Sequence, residues 1–373
     1  MRFEDISKFH IRRPAASGEK IVVGMSGGVD SSVAAALLAI SGYTVTGLTL
    51  KFLCNDCGRG TRSEDNTFFR AEEVCRSLGI EHRTVDVSSE FRKKVIDHFT
   101  GEYRAGRTPN PCIICNEKIK FPAIAAAADS LGVRSIATGH YARLARDREG
   151  RLLLGEAKDH SKDQGYFLYR VPVKILKRIV FPLADLRKDE VRSVAAGIGL
   201  HTKTGKESQD ICFLPDGDLS GFLSDYIKTA EGDVVDKDGK VLGSHGGTFR
   251  YTIGQRRGLG IASEAPLYVS SIDPGKNRIV LSDNESLFTD RVVCSGLRMR
   301  VRDPLLPLSA RIRYRHKPAK VKSVERRKNN LAVSFEKSQR AVTSGQSLVL
   351  YSGGMIIGGG IITDPAESES DES

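Results

Sequence analysis

The sequence lacks long apolar stretches. None approaches the roughly 18 residues that a membrane-spanning helix needs, which excludes an integral helical membrane protein. The first twenty residues mix acidic and basic side chains around no apolar core of about 7–15 residues, so we expect no secretory signal. Glu4 and Asp5 also argue against a cleaved organellar presequence. We therefore predict a cytoplasmic protein without a membrane partner.

Cysteine is scarce, and its number is odd. Seven cysteines include two C-x-x-C pairs, Cys54 with Cys57 and Cys112 with Cys115. In a reducing compartment this usage favours metal binding or catalysis over a disulfide scaffold. Cys75 and Cys294 lie in apolar patterns and are expected to be small buried side chains without a chemical role.

Acidic residues are outnumbered by basic ones in the chain as a whole but not at the C-terminus. The net charge is +11, yet residues 364–373 hold five acids and no base. The rest of the chain carries +16, from 57 Lys and Arg against 41 Asp and Glu. Such an excess suits binding of a polyanion such as nucleic acid, although a merely basic surface is the alternative. The acidic tail is predicted to be disordered.

Strand and helix patterns alternate along the first half of the chain. Apolar or β-branched runs predict strands that begin near residue 20 and cover 44–50, 82–87 and 135–140. Helical patterns fall between them, at 31–38, 68–78 and 122–130. This alternation predicts an α/β fold with a doubly wound parallel sheet.

The pattern changes after about residue 215. Glycine-rich turns separate short segments, and from about residue 288 closely spaced strand patterns predict a small all-β barrel. We therefore predict four regions: an α/β domain at 1–216, a small linking domain at 217–287, a C-terminal β-barrel at 288–363 and the tail at 364–373.

Residues 21–32 read IVVGMSGGVDSS, a buried strand followed by small polar residues and a helix. Small residues let an anion approach the backbone N–H groups of a helix N-terminus, where the helix dipole favours negative charge. Ser26, Ser31 and Ser32 add hydroxyl donors, while Asp30 holds either the loop or Mg²⁺. The stretch lacks the Walker and dinucleotide-binding patterns. It predicts a phosphate cradle, against the alternative of a plain glycine turn.

The stretch SGGVDSS resembles the signature of the PP-loop ATP pyrophosphatases. Further motifs narrow the resemblance to tRNA-specific 2-thiouridylases, over residues 20–363 and in the family's order: TPNPCIICNEKIKF, ATGHYAR, KDQGYFLY, ESQDICFL and YTIGQRRGLG. The resemblance implies ATP and Mg²⁺ as cofactors. It implies nucleotide binding by Gly24, Met25, Ser26, Gly27, Gly28, Val29, Asp30, Ser31, Leu50 and Gly139.

The chemistry that the resemblance implies acts on the wobble uridine of the tRNA anticodon loop. The C2 oxygen is a poor leaving group, and transfer of AMP from ATP makes it a good one. Cys115 and Cys212 occupy the two catalytic cysteine positions of the family. In the persulfide account, Cys212 carries the sulfur that replaces the oxygen, and a disulfide with Cys115 closes the cycle. An upstream persulfide relay protein or a cysteine desulfurase supplies that sulfur.

Cys112 departs from the best-known form of the family, which has aspartate at that position. Cys112, Cys115 and Cys212 form an alternative set of ligands for a [4Fe–4S] cluster with one open iron. A redox pair of Cys112 and Cys115 is equally consistent with the sequence. Cys54 and Cys57 fit either a four-cysteine zinc site with that pair or a loop with two incidental thiols.

Several polar residues are implied in RNA binding by the resemblance. Asn110, Pro111 and Cys112 are expected to border the target base, which must leave its stack to react. The expected tRNA contacts are His140, Lys162, Asp163, Gln164, Arg313, Tyr314 and Gln346. His140 has the alternative role of capping a strand. The stretch ARIRYRHKPAK predicts a strand with Arg311, Arg313 and Arg315 on one face. Arg256 and Arg257 lie in a glycine-rich stretch that we expect under the tRNA.

Two other classes of function compete with tRNA thiolation. Another PP-loop ligase would adenylate the carboxylate of a small molecule. A nucleotide-regulated RNA-binding or zinc protein would catalyse nothing. The catalytic cysteine positions and the basic all-β end favour the thiolase.

Overall fold

The computed structural model describes residues 18–53, 61–200 (backbone only for 61–67), 211–214, 217–228, 230–302 and 304–364. Its strands are β1 (Lys20–Gly24), β2 (Thr44–Lys51), β3 (Glu81–Asp86), β4 (Ser135–Thr138), β5 (Arg143–Arg146), β6 (Leu152–Gly155), β7 (Ile179–Val180), β8 (Gly232–Asp236), β9 (Val241–His245), β10 (Tyr268–Asp273), β11 (Arg278–Ser282), β12 (Phe288–Met299), β13 (Leu308–Arg311), β14 (Ala319–Arg327), β15 (Asn330–Arg340), β16 (Ser347–Ser352) and β17 (Met355–Ile362).

The α-helices are α1 (Val29–Ile40), α2 (Thr61–Ser77), α3 (Ser88–Phe91), α4 (Asp97–Arg104), α5 (Pro111–Cys115), α6 (Phe121–Ser130), α7 (Gly165–Leu168), α8 (Val173–Leu176), α9 (Lys188–Gly197) and α10 (Leu219–Ser224). In the described part of the chain, π-helical segments cover Arg92–Ile96 and Asn116–Lys120, and 3₁₀ turns cover Thr248–Arg250 and Glu285–Leu287. None of the described helices is long and apolar enough to cross a membrane.

The described residues fall into two compact units. The first comprises the described residues within 1–95 and 112–215, and the second comprises those within 96–111 and 216–373. The two units differ from the predicted domains in one respect, since the segment 96–111 belongs to the second unit. The domain boundaries predicted from the sequence stay a prediction.

The first unit is built on a five-stranded parallel sheet in the order β3-β2-β1-β4-β7. Ile21, Val22 and Val23 of the central strand are completely buried. Ile21 and Val23 pack in one core with helices α1, α2 and α9. Residues alternate between the faces of a strand, and Ile124 of α6 lies close to Gly24. Helix α6 therefore covers the opposite face, and the predicted doubly wound α/β fold is confirmed.

The order of strands determines where a ligand site forms. From β1 the chain continues to β2 and β3 on one side, whereas β4 pairs with β1 on the other side. Ligands of such sheets bind beyond the carboxyl ends of strands at this reversal. The segments that follow β1 and β4 are those around Ser26 and Gly139, which contain two of the predicted motifs.

The second unit contains a four-stranded sheet in the order β10-β11-β8-β9, with a core that includes Val234, Val269 and Ile279. It also contains the antiparallel order β12-β15-β14-β13-β16-β17, which the pairing of β12 with β17 closes into a barrel. A Cβ at Gly360 would lie 2.7 Å from the Ser295 carbonyl oxygen, so β12 and β17 approach too closely for a larger residue. The predicted C-terminal barrel is confirmed.

One predicted barrel strand is too long. Strand β13 ends at Arg311, and the next residues form a turn in which His316 N–H donates to the Arg313 carbonyl at 3.1 Å. The prediction that Arg311, Arg313 and Arg315 share one strand face is therefore wrong. Pro318 follows shortly and cannot donate to a ladder, which explains why the alternating pattern does not continue as a strand.

The segment 96–111 is anchored within the second unit. Phe99 lies edge-to-face with Phe222, with ring centroids 6.3 Å apart. Thr108 N–H donates to the Ser344 carbonyl at 2.9 Å, and Gln346 Nε2 donates to the Thr108 carbonyl at 2.7 Å. These bonds fix the residues immediately before Asn110 in the TPNPC motif.

Candidate active site

The loop after β1, residues 24–32, is called the phosphate loop here. Gly27 has a φ of +68°, a left-handed conformation that favours glycine. Gly28 is extended and caps α1, and its carbonyl accepts bonds from Ser32 N–H at 3.2 Å, Ser31 Oγ at 3.1 Å and Ser32 Oγ at 2.9 Å. The loop is thus held by its own hydroxyls, and the N–H groups that open α1 lack intrahelical partners. This geometry suits an anion.

Gly139 supports the phosphate loop from β4. A Cβ there would lie 2.6 Å from Ser31 N and 2.7 Å from the Asp30 carbonyl carbon. A side chain would therefore push the loop backbone away. The predicted contacts of Gly139 and the buried Leu50 with adenosine stay predictions.

Asp30 contacts two side chains that the sequence did not single out. Its Oδ1 accepts from Tyr141 Oη at 2.8 Å, and Lys188 Nζ donates to its two oxygens at 2.7 and 2.8 Å. Lys188 is the first residue of α9 and is buried. Of the two roles considered for Asp30, holding the loop is the one that these contacts support.

The thiol centre consists of Cys112, Cys115 and Cys212. Cys115 is buried in α5, while Cys112 and Cys212 keep exposed surface. Desolvation raises the pKa of Cys115 to about 11 and that of Cys212 to about 12, and it also raises the pKa of Cys112. Electrostatic repulsion from Cys112 and Cys115 raises the pKa of Cys212 further, so the three sulfurs are near one another.

Lys120 opposes these shifts. Its charge lowers the pKa of each thiol in the centre, and its backbone N–H also lowers the pKa of Cys115 by hydrogen bonding to the sulfur. This lysine supplies a local positive charge, but desolvation outweighs its effect on the pKa of each thiol. All three thiols are consequently protonated at neutral pH, and each must lose its proton to act as a nucleophile.

His140 links the thiol centre to the phosphate loop. Desolvation and the charge of Lys120 hold its pKa well below the usual value, so the imidazole is neutral at pH 7. Its Nδ1 lies 2.8 Å from Thr138 Oγ1, which agrees with the alternative role as a strand-end cap. Gly139, its neighbour in the chain, packs on Asp30 and Ser31. The predicted RNA contact of His140 stays a prediction.

The motif residues around the cysteines form the scaffold of the thiol centre. Asn116 Nδ2 donates to the Phe167 carbonyl at 3.1 Å, and Arg170 Nε donates to Glu117 Oε2 at 2.7 Å. The Arg170 and Glu117 side chains are only 8% and 6% exposed. A buried ion pair therefore fixes the π-helical segment after Cys115 to the region of α7.

The described residues include no group of three His, Cys, Asp or Glu side chains arranged to hold a metal ion. The structure therefore gives no support to the predicted cluster ligands Cys112, Cys115 and Cys212. Cys54 and Cys57 lie outside the described residues, as does the acidic tail beyond Asp364.

The predicted RNA contacts in the KDQG stretch have structural partners. Asp163 is 2% exposed, and its Oδ1 accepts from Ala157 N–H at 3.0 Å. Gln164 Oε1 accepts from Tyr141 N–H at 3.0 Å and so supports the tyrosine that binds Asp30. Lys162 is half-buried. The RNA-binding assignments of Lys162, Asp163 and Gln164 stay predictions.

The predicted RNA contacts of the second unit are partly accessible. Arg313 Nη2 donates to the Arg340 carbonyl at 3.1 Å, and Tyr314 is half-buried in the turn after β13. Gln346 makes the bond to Thr108 described above. Arg256 and Arg257 are exposed in the glycine-rich loop. These assignments, and those of Asn110, Pro111 and Cys112 to the target base, stay predictions.

Two basic cavities were missed by sequence reasoning. One in the barrel has a volume of about 400 Å³ and is lined by Leu297, Met299, Arg300, Arg302 and Arg326. Burial lowers the pKa of Arg300 to about 10. The other, in the first unit, measures about 800 Å³ and is lined by Asp129, Gly132, Val133, Arg134, Val173, Lys174, Lys177 and Arg178. No local pattern marks either set, because strands or helices distant in sequence contribute to each.

Comparison with family models divides the chain into three matches. Residues 19–216 match a tRNA methyl transferase HUP domain, residues 220–283 a tRNA methyl transferase PRC-barrel domain, and residues 296–362 an aminomethyltransferase β-barrel domain.

Full-length relatives are similar over nearly the whole chain. The tRNA-specific 2-thiouridylase MnmA of Syntrophotalea carbinolica is 43% identical over 346 residues, covering 92% of this chain and 98% of its own. That of Clostridium acetobutylicum is 42% identical over 358 residues, covering 92% and 99%. Among solved structures, the U34-tRNA thiolase NcsA of Methanococcus maripaludis, with its [4Fe–4S] cluster, is 18% identical at a TM-score of 0.35 and covers 53% of this chain and 62% of its own.

Proposed function

Since the chain belongs to the tRNA-specific 2-thiouridylase family, we propose that it replaces the C2 oxygen of the wobble uridine of tRNA with sulfur and consumes ATP. The resemblance drawn from the sequence motifs is confirmed by these relatives. The observation that carries the proposal is the continuity of the site. Gly139 packs on the phosphate loop, and His140 follows it in the chain. The charge of Lys120 contributes to lowering the pKa of His140 and of all three thiols, so His140 and the thiols lie around the same lysine.

In the first step the phosphate loop binds ATP. The α-phosphate is transferred as AMP to the C2 oxygen of the uridine, and pyrophosphate leaves. The N-terminus of α1 stabilises the phosphates through its N–H groups and dipole. Asp30 contacts Lys188 and Tyr141 and keeps 33% of its side chain exposed at the start of α1, so its carboxylate would be placed to hold Mg²⁺ there. Mg²⁺ would bind through the phosphates of ATP, whose charge it neutralises.

In the second step a persulfide on Cys212 supplies sulfur, delivered by a relay protein or a cysteine desulfurase. The terminal sulfur attacks C2, and AMP leaves with the former C2 oxygen. The thiolate of Cys115 then attacks the Cys212 sulfur, which leaves the transferred sulfur on the base and forms a Cys115–Cys212 disulfide. If Cys115 attacks earlier, hydrosulfide is released and attacks C2 instead. Either route ends in the same disulfide, and a dithiol reductant supplies the two electrons that reopen it.

Tests of this function separate its two steps. The rate of exchange between labelled pyrophosphate and ATP is measured with and without tRNA, and thiolated uridine is measured in the same samples. We expect exchange to require tRNA. Cys212→Ser should retain this exchange while thiolation falls at least about 1,000-fold, because the sulfur carrier is lost. Cys294→Ala, a buried thiol in the barrel, is the matched control and should retain both activities.

One outcome would point to a different function, and another would point to a different sulfur carrier. Exchange that requires a small carboxylate and no RNA would indicate an amide-forming ligase. Iron–sulfur absorbance in anaerobically reconstituted protein, lost in Cys112→Ala together with thiolation, would replace the persulfide with a cluster-bound hydrosulfide.

A further inference from the structure

The barrel carries a group of cations at one of its ends. Arg300, Arg302 and Arg326 line the cavity of about 400 Å³ described above, and none of the described residues that line it is acidic. Lys328, in the turn between β14 and β15, follows two positions after Arg326. Arg302, Arg326 and Lys328 are exposed. These four cations are called the barrel rim here, and their mutual repulsion favours an anion among them.

The acidic neighbour of Arg326 serves other arginines. Glu325 Oε2 lies 3.7 Å from Arg291 Nη2 and 3.8 Å from Arg327 Nη2. Successive side chains of a strand point to opposite faces, so Glu325 lies on the face opposite to Arg326. Glu325 therefore does not offset the charge of the rim directly.

The strand that precedes the acidic tail ends at the same end of the barrel as the rim. Ile362 of β17 pairs with Cys294 of β12. Cys294 also pairs with Leu331 of β15, which pairs with Arg326 of β14. Arg326 and Ile362 thus lie in one row across four neighbouring strands. At a strand spacing of about 4.8 Å, their Cα atoms are at most about 14 Å apart.

The acidic tail, residues 364–373, has the charge and the length to reach the rim. It holds five acids, and no Lys, Arg or His occurs from residue 341 to residue 373. Its ten residues can extend to about 33 Å, more than twice the distance from Ile362 to Arg326. Single exposed ion pairs are weak. A tether of this length nevertheless gives an effective concentration in the range of about 1 mM, so weak contacts suffice.

We propose that the acidic tail docks on the barrel rim and competes there with the phosphates of nucleic acid. An RNA with few other contacts is then excluded by the tail, whereas a substrate that also binds the rest of the protein displaces it. The docking is independent of the proposed function. Its effect on tRNA binding rests on that function.

The first test detects docking in the full-length protein without RNA. A carbodiimide condenses a carboxylate with a lysine amine that it contacts, and mass spectrometry of the digested protein identifies the joined residues. Lys337 is an exposed lysine of β15 that lies about 20 Å farther along the strand, still within reach of an extended tail. We expect the tail to be joined to Lys328 at least about 10-fold more often than to Lys337, because the rim holds it near Lys328.

Pairs of substitutions decide whether the rim captures the tail. Arg302→Ala with Arg326→Ala should reduce the cross-links to Lys328 at least about 5-fold, and about 0.5 M salt should do the same, since exposed charges are screened. Lys320→Ala with Lys322→Ala removes as much charge from exposed positions of β14 and should leave the cross-links unchanged. Equal cross-linking of Lys328 and Lys337 in the wild type would overturn the docking, as would cross-links to Lys328 that persist in the arginine variant.

The second test measures the effect on RNA binding. A neutral-tail variant replaces four acids by amides: Glu367→Gln, Glu369→Gln, Asp371→Asn and Glu372→Gln. In filter binding it should bind tRNA about 3-fold more tightly than the wild type at low salt. The gain should vanish when Arg302→Ala and Arg326→Ala are also present, because the tail then has no site to occupy. An equal gain in both backgrounds would indicate general repulsion of RNA by the tail and would overturn the competition.

The docking and the proposed function can fail separately. If the cross-links behave as expected and no tRNA is thiolated, the proposed function fails while the docking stands. If tRNA is thiolated and the cross-links show no preference for Lys328, only the docking fails.

Discussion

The phosphate loop and the thiol centre belong to the same unit but depend on opposite electrostatics. In the phosphate loop, an ionised aspartate is matched by a buried lysine and a tyrosine hydroxyl. In the thiol centre, desolvation dominates and a single described cation, Lys120, counteracts it only in part. The loop is therefore preformed for an anion, whereas the thiols are protonated at neutral pH and must lose a proton before sulfur transfer. Substitutions should therefore be able to disrupt nucleotide binding and sulfur activation separately.

The largest expected effect concerns the scaffold of the thiol centre. Glu117→Gln leaves Arg170 buried without its carboxylate, which should cost about 3–5 kcal/mol of unfolding free energy. Thermal denaturation measures the loss, and Glu81→Gln, in an exposed pair with Arg83, should cost under about 1 kcal/mol. Equal losses in the two variants would show that the buried pair does not support the centre.

The next effect concerns the phosphate loop. Gly139→Ala introduces a methyl group 2.6 Å from Ser31 N, so the loop must shift. We expect ATP to bind about 100-fold more weakly, roughly 2.7 kcal/mol, measured by calorimetry. Gly101→Ala in α4, where the new Cβ meets nothing within 4 Å, is the control. Unchanged ATP affinity in Gly139→Ala would place the nucleotide elsewhere.

A smaller effect should separate the thiol centre from the loop. Lys120→Met removes a charge that lowers the pKa of Cys115, so fewer thiolates exist at a given pH. Since the pKa is about 11, sulfur transfer should rise with pH between about 7 and 9 in both proteins, and the variant should be about 10-fold slower throughout. Lys120→Arg should retain the rate. Single-turnover thiolation measures it, and a pH-independent rate would contradict the assignment.

The smallest effect concerns the cavity in the barrel, where Arg302 and Arg326 face a volume of about 400 Å³. Replacing both with alanine should weaken tRNA binding about 5-fold. The slope of log affinity against log salt concentration should become shallower by the equivalent of about two lost phosphate contacts. Filter binding at several salt concentrations measures this. The control is Lys322→Ala, which removes an exposed side chain on β14. An identical loss of affinity in this control would show that the cavity does not contribute specifically to tRNA binding.

The sequence predicted the features that are local in the chain. The strand–glycine–helix pattern after β1 predicts the phosphate loop because its backbone requirements lie within a few neighbouring residues, Gly27 above all. The parallel sheet and the barrel follow from strand and helix periodicity. The cysteine positions came from motifs of the family, and the structure groups Cys115 with Cys212 although 97 positions separate them.

The partners that complete the site could not be predicted in this way. Lys188 meets Asp30 across 158 positions, and no local pattern distinguishes it from the other lysines of a basic chain. Glu117 and Arg170 look like surface charges in the sequence but are buried as a pair. The alternating arginines after residue 310 predicted a continuous strand, but the chain turns between Arg313 and His316 and the strand ends at Arg311. Tertiary packing decides each of these cases.

The central claim is that the C2 oxygen of the base leaves as part of AMP when sulfur takes its place. The most direct measurement uses tRNA labelled with ¹⁸O at C2 of the wobble uridine in a single turnover with ATP and persulfidated protein. The account predicts that the label appears in the phosphate of AMP. Label recovered in water, or in pyrophosphate, would contradict it.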